Sequence, residues 1–208
     1  MKRFVLLLVA ALAISAPRSA GAATILFDNF DTENGGQGVL NYTGFANFVV
    51  DDGTVDLIGD TASGTPLFDL LPGNGLYVDL DGSTFDAGTL ISFPVALGPG
   101  DYSLSFDLAG NNRNTNNDTV LFALIGPGAV ILDSLTMAGT DPFTTFSYGF
   151  TTTGGGILFA FLNEPDGDNI GALLDNVHLQ SVPEPAMLLL FGLAALAAAA
   201  RARKRSAE

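Results

Sequence analysis

The chain has 208 residues, with 22 acidic against 8 basic side chains and a net charge of −14. Seven of the bases lie before position 19 or after position 200, so residues 24–182 set 20 acids against Arg113 alone, a body that repels phosphate backbones and excludes nucleic acid as a partner. Cysteine is absent and His178 is the only histidine, which removes disulfides, thiol catalysis and multi-histidine metal centres and points to a non-catalytic protein.

The first segment is an address. Met1-Lys2-Arg3 is a positive start, Phe4 to Ile14 is an apolar run too short to span a bilayer, and Ala20-Gly21-Ala22 is a small-x-small cleavage pattern. This order predicts a secretory signal peptide over 1–22, cut after Ala22, and a mature body outside the cytoplasm.

Residues 23–181 read as β throughout. Asp101 to Leu108 alternates strictly, with Tyr102, Leu104, Phe106 and Leu108 on one face and Asp101, Ser103, Ser105 and Asp107 on the other. Phe146, Tyr148 and Phe150 repeat the pattern within 144–152. Further strands are predicted at 24–30, 47–51, 54–58, 76–80, 89–95, 119–125, 129–135, 157–162 and 173–180. Clusters such as Leu71-Pro-Gly-Asn-Gly75 and Gly126-Pro-Gly128 punctuate them. Short strands, regular turns and no amphipathic helix predict an all-β fold, an antiparallel jelly-roll-like β-sandwich of about ten strands.

Three polar groupings stand out within this body. Asp79 and Asp81, ahead of Gly82, place two carboxylates on one side of a strand end, as hard oxygen ligands for calcium or as an acidic edge entering a turn. Asp166-Gly-Asp168-Asn169 lacks the EF-hand order and reads first as a turn. Asn111 to Asp118 is a polar loop holding Arg113, suited to sugar hydroxyls or uronic-acid carboxylates, or to a solvated connector.

The last segment is again an address. Ala186 to Ala200 is apolar; fifteen helical residues rise about 22 Å against a hydrocarbon core of about 30 Å, a short transmembrane helix. Arg201, Arg203, Lys204 and Arg205 hold its far end in the cytoplasm, leaving the body outside.

Val182-Pro183-Glu184-Pro185, the apolar run and the terminal basic cluster together resemble the bacterial PEP-CTERM sorting signal over 182–205. The resemblance implies an exosortase, a membrane peptidase, as partner. It also implies processing near Pro183, Glu184 and Pro185, a membrane-anchored precursor, and a final place at the cell surface or in the extracellular matrix. Asn74 to Gly82, Leu104 to Arg113 and Leu173 to Leu179 are similar to segments of secreted PEP-CTERM proteins, whose bodies resemble the galactose-binding-like jelly roll of carbohydrate-binding modules. In such modules the closing strand often supplies a structural calcium ligand, which matches Asp175; its opening-strand partner could be Asp28, Asp31 or Glu33. Period-two alternation with Val177 and Leu179 predicts an inward Asp175, served by that cation or by a hydrogen-bond hub, with His178 on the opposite face. The expected function is a non-catalytic exported surface or matrix protein associated with exopolysaccharide or biofilm. A carbohydrate-binding module with a defined glycan site is the alternative, and a hydrolase using Asp79 and Asp81 the third.

Overall fold

The computed structural model describes residues 21–59, 68–164 and 168–183. Twelve strands account for nearly all of its regular structure: β1 Thr24–Asp28, β2 Phe48–Asp52, β3 Asp56–Gly59, β4 Leu76–Asp79, β5 Thr89–Ser92, β6 Val95–Leu97, β7 Gly100–Ala109, β8 Asn117–Gly126, β9 Ala129–Ala138, β10 Thr144–Thr152, β11 Gly155–Asn163 and β12 Leu173–Ser181. Among the described residues the only helical piece is a single 3₁₀ turn, Glu33–Gly35. All eleven predicted strands form. The one expected over 89–95 divides into β5 and β6 around Pro94, which has no N–H to donate to a ladder.

The strands make two antiparallel sheets, and Ala23–Val182 is one compact unit. The first runs β10-β7-β12-β4-β3, with β1 also pairing to β12. β4 pairs with Leu173 and Leu174 of β12, and β1 with Val177 to Gln180, so both lie on the edge of β12 away from β7. The second runs β2-β5-β11-β8-β9, with β6 extending the β11 edge. Consecutive strands pass between the sheets, as a jelly-roll-like sandwich requires: β7 lies in the first, β8 and β9 in the second, β10 in the first, β11 in the second and β12 in the first.

The inward faces alternate as the sequence predicts. Leu104, Phe106 and Leu108 of β7 are fully buried, opposite Val120, Phe122 and Leu124 of β8 and Phe159 and Phe161 of β11. With tryptophan absent, phenylalanine fills the core: Phe106 meets Phe122 at 4.9 Å and Phe161 at 4.8 Å between ring centroids. A smaller cluster of Ile58, Tyr77, Ala109 and Leu173 packs on the other side of the first sheet.

Among the described residues no helix is long and apolar enough to cross a membrane. The expected span 186–200, Glu184, Pro185, the basic residues Arg201, Arg203, Lys204 and Arg205, Ala20 and nearly all of the expected signal peptide lie outside the described residues.

Candidate functional site

One end of the sandwich gathers three loops around a buried carboxylate. β4 ends at Asp79, whose Oδ1 accepts hydrogen bonds from the backbone N–H of Asp81 (3.1 Å) and Gly171 (2.9 Å). Its Oδ2 accepts from Asn111 Nδ2 (2.9 Å) and Arg113 Nη2 (2.5 Å). Burial pushes Asp79 well above the usual carboxylate range, while Arg113 and the two backbone donors pull it back. Asp79 and Asp81 are therefore not an acidic edge in solvent; both are buried beneath the loops. A carboxylate that already accepts four hydrogen bonds is poorly placed to meet a substrate.

Arg113 joins those loops. Its Nε donates to Asn111 Oδ1 (3.1 Å) and its Nη2 also reaches the Asn169 carbonyl (2.6 Å). Asn169 Oδ1 in turn accepts the N–H of Phe85 (2.5 Å), and Asn114 Nδ2 donates to Asp168 Oδ2 (2.9 Å). The loop 111–118, read as either sugar ligand or solvated connector, is divided: Asn111 is fully buried, whereas the Arg113 side chain is about one-third exposed, at 31%. Asp168 belongs to this network, and Asp166 lies outside the described residues. Asn169, from the segment read as a turn, belongs to the network, and Phe85 is the addition the sequence reading missed. Phe85 is 71% exposed with φ +61°, an isolated aromatic at the tip of a polar loop. Its signal was an aromatic standing alone among the turn residues of Gly82 to Gly88.

Asp175 occupies a second place, in the gap between the β4-paired and β1-paired stretches of β12. The strand bulges there, because the register with β7 shifts between Asp175 and His178 and Asn176 adopts φ +52°. The bulge corrects the predicted orientation. Leu174, Val177 and Leu179 face the main core, and Asp175 stands on the outer face beside its cross-strand neighbour Asp107. It is still buried, and its oxygens accept from Asn176 N (2.7 Å) and Nδ2 (3.3 Å). Burial pushes it up to about 8, and Asp31, Asp107 and Asp28 push in the same direction.

Of the expected opening partners, Asp31 crosses the gap to accept the N–H of Leu76 at the start of β4 (2.9 Å), and Asp28 holds Phe30 N and Asn47 Nδ2. Glu33 accepts instead from Ala46 N and Tyr42 Oη. Carboxylates from three elements supply hard donors suited to calcium. Among the described residues, however, no three acidic or histidine side chains close into a metal-holding group. The calcium expectation therefore rests on donor chemistry and the local acidic field rather than on a preformed cage. His178 lies on the outer face as predicted, with Nε2 2.9 Å from Thr24 Oγ1 and its ring edge-on to Phe27.

Solved structures with a similar fold include the CBM22-1–GH10 modules of Clostridium thermocellum endo-1,4-β-D-xylanase 10B complexed with xylohexaose (TM-score 0.48, 12% identity). That match covers 78% of this chain and 29% of that one. The CBM22-1 xylan-binding domain of Paenibacillus barcinonensis Xyn10C aligns over 81% of this chain and 100% of its own, with 12% identity and TM-score 0.47. The K3 cleaved adhesin domain of Porphyromonas gingivalis Lys-gingipain aligns over 76% and 100%, with 19% identity and TM-score 0.46. No curated protein sequence matches the chain. At the C-terminus the match is to a family: residues 181–204, which include Pro183-Glu184-Pro185 and the basic residues through Lys204, match the PEP-CTERM protein-sorting motif, the mark of an exported protein processed by a membrane-embedded exosortase.

Proposed function

We propose that this chain is an exported, non-catalytic surface or matrix protein. Its C-terminus is recognised by an exosortase, and its β-sandwich is delivered outside the cell to associate with exopolysaccharide. The sorting-motif match over 181–204 carries the reading, and the acidic, cysteine-free body is consistent with it. The apolar run 186–200 holds the precursor in the membrane, and Arg201, Arg203, Lys204 and Arg205 keep its end cytoplasmic. Replacing Pro183 and Pro185 together with Ala lets helix extend upstream through the expected recognition point. In a cell that has the peptidase, the variant accumulates as a larger, membrane-held precursor while the natural chain is shortened. Equal size and equal release for the two would remove the reading.

A glycan-binding role draws support from the loop end. Exposed Phe85 offers an apolar platform, and the partly exposed Arg113 and Asn114 offer donors beside it, all tied together through Asn169 and Asp168. Binding of the natural protein to acidic and neutral polysaccharides, lost on Phe85→Ala with unchanged thermal stability, would establish it. Turnover of any of those polysaccharides would instead favour the hydrolase alternative.

A further inference from the structure

The two outer faces of the sandwich differ in chemistry. On the first sheet, outward positions of β7 and β10 are joined by hydroxyl–carboxylate bonds, Thr145 Oγ1 to Asp107 (2.5 Å) and Thr151 Oγ1 to Asp101 (2.6 Å). The second sheet is aliphatic across its width. Leu158 stands opposite Ile125, which stands opposite Val130; in the next row Ala160, Ala123 and Leu132 follow. The second row continues through Ile91 of β5 to Val49 of β2. Val130 and Leu132 are 70% and 71% exposed, and Ile125 is 55% exposed. The outward positions of β5, β8, β9 and β11 carry no charge in a body with twenty acids; Asp133 of β9 stands opposite inward Phe122 and accepts from Tyr148 Oη, and Asp51 and Asp52 lie at the end of edge strand β2.

We infer that this face is where a second copy of the chain docks, sheet on sheet. Five strands about 4.8 Å apart, of five, four, nine, ten and ten residues, present roughly 600 Å², about three-quarters of the 800 Å² that each partner contributes to a standard stable interface. The aliphatic rows within that face reach the few hundred Å² beyond which a contiguous exposed apolar patch is uncommon on a monomer. The chemistry selects among occupants. A polysaccharide needs hydrogen-bonding groups or aromatic platforms, and this face has aliphatic side chains. A lipid surface attracts basic and aromatic residues, and the rows of this face offer neither. A second copy meets the face with the same uncharged rows, and the acids of both bodies stay outside the contact. Sheets stacked this way interdigitate at about 10 Å.

The test uses the full chain exported in a bacterium, in two differently tagged copies, with a photo-crosslinking phenylalanine in place of Leu132 or, as control, of Ser103 on the polar sheet. Position 132 should join the two tagged copies into a product of twice the chain mass, and position 103 should not. Val130→Glu together with Leu132→Glu sits on exposed positions and leaves protease resistance intact. With the crosslinker moved to Leu158, that pair should lower the dimer yield at least tenfold, whereas Ser103→Glu with Ser105→Glu should leave it unchanged. Crosslinks from position 132 only to lipid or to another protein, or a dimer indifferent to the Glu pair, would overturn the inference.

Discussion

Asp175 stands directly opposite Asp107 across the β12–β7 ladder, and the Asn176 side-chain amide donates to both carboxylates, at 3.3 and 3.0 Å. Like charges facing each other in a ladder are destabilising, and here Asp31 and Asp28 add to the same field. A proton on Asp175 relieves that repulsion.

The sign of the resulting pH dependence follows. The folded Asp175 holds its proton up to about pH 8, whereas the unfolded chain releases it near the ordinary 3.8. Between those values the unfolded state binds fewer protons, so stability falls as pH rises and levels off above about pH 8. Asp79, also pushed up by burial, acts in the same direction. Urea unfolding from pH 5 to pH 8.5 should show this decline, and Asp175→Asn should flatten it and raise stability at the alkaline end. A natural protein more stable at pH 8 than at pH 5.5 would contradict the assignment.

A divalent cation relieves the same repulsion by another route. If calcium binds at Asp175 with the neighbouring acids, concentrations 100 times its Kd add about 2.7 kcal/mol. For a body of this size the melting temperature then rises by roughly 5–10 °C at constant ionic strength. Asp175→Asn should reduce the rise and Asp166→Asn should leave it intact. Melting curves unchanged by calcium and chelator would leave Asp175 to its hydrogen bonds with Asn176.

Arg113 is the one cation available to twenty acids, and it is bound to a buried carboxylate. Arg113→Ala strips Asp79 of that partner and releases Asn169 and Asn111 together. Breaking a fully buried pair costs about 3–5 kcal/mol; with Arg113 about one-third exposed, about 2–3 kcal/mol is expected by denaturant titration. Asp79→Asn with Arg113→Leu should cost less than Arg113→Ala alone, because no buried carboxyl is then left without its cation.

Two glycines separate close packing from mere occupancy. A Cβ on Gly171 would lie 2.4 Å from Asp81 N and 3.0 Å from Asp79 Oδ1, so Gly171→Ala should push the knot apart and cost more than about 2 kcal/mol. A Cβ on Gly149, within β10, would meet nothing within 4 Å. Gly149→Ala should therefore stabilise by about 0.4–1 kcal/mol, through the lost freedom of the unfolded chain. Calorimetry of the two variants gives opposite signs if the packing is as described.

The strands were legible because each inward side chain declares itself locally. Tyr102, Leu104, Phe106 and Leu108 alternate with polar residues, and that is how β7 lies. The orientation of Asp175 was not, since one bulge residue reverses every face beyond it, and the only local sign was an asparagine, the type that tolerates positive φ. The Asp79–Arg113 knot was equally hidden. Its partners are 34 residues apart and meet through loops whose sequences, rich in Asn and Asp, read as ordinary turns. The aliphatic outer face was present in the alternation of β8 and β11, where both strand faces are apolar, a pattern that reads as continuous burial until the exposure of Leu121, Ile125 and Leu158 distinguishes one side.

The position of β12 carries a consequence for how the chain acquires its structure. This strand lies inside the first sheet, with β7 on one edge and β4 and β1 sharing the other, and Ala23 and Ser181 hydrogen-bond to each other. The strand with which β7, β4 and β1 all pair is thus the last of the described strands to be synthesised. Its contact with β1 closes a loop of about 150 residues, a slow step whose entropy must be met before the pairing rewards it. Until residue 181 is available, the first sheet has no centre. A chain interrupted before 173 therefore leaves β1, β4 and β7 as unpaired edges, in the form most exposed to aggregation and proteolysis.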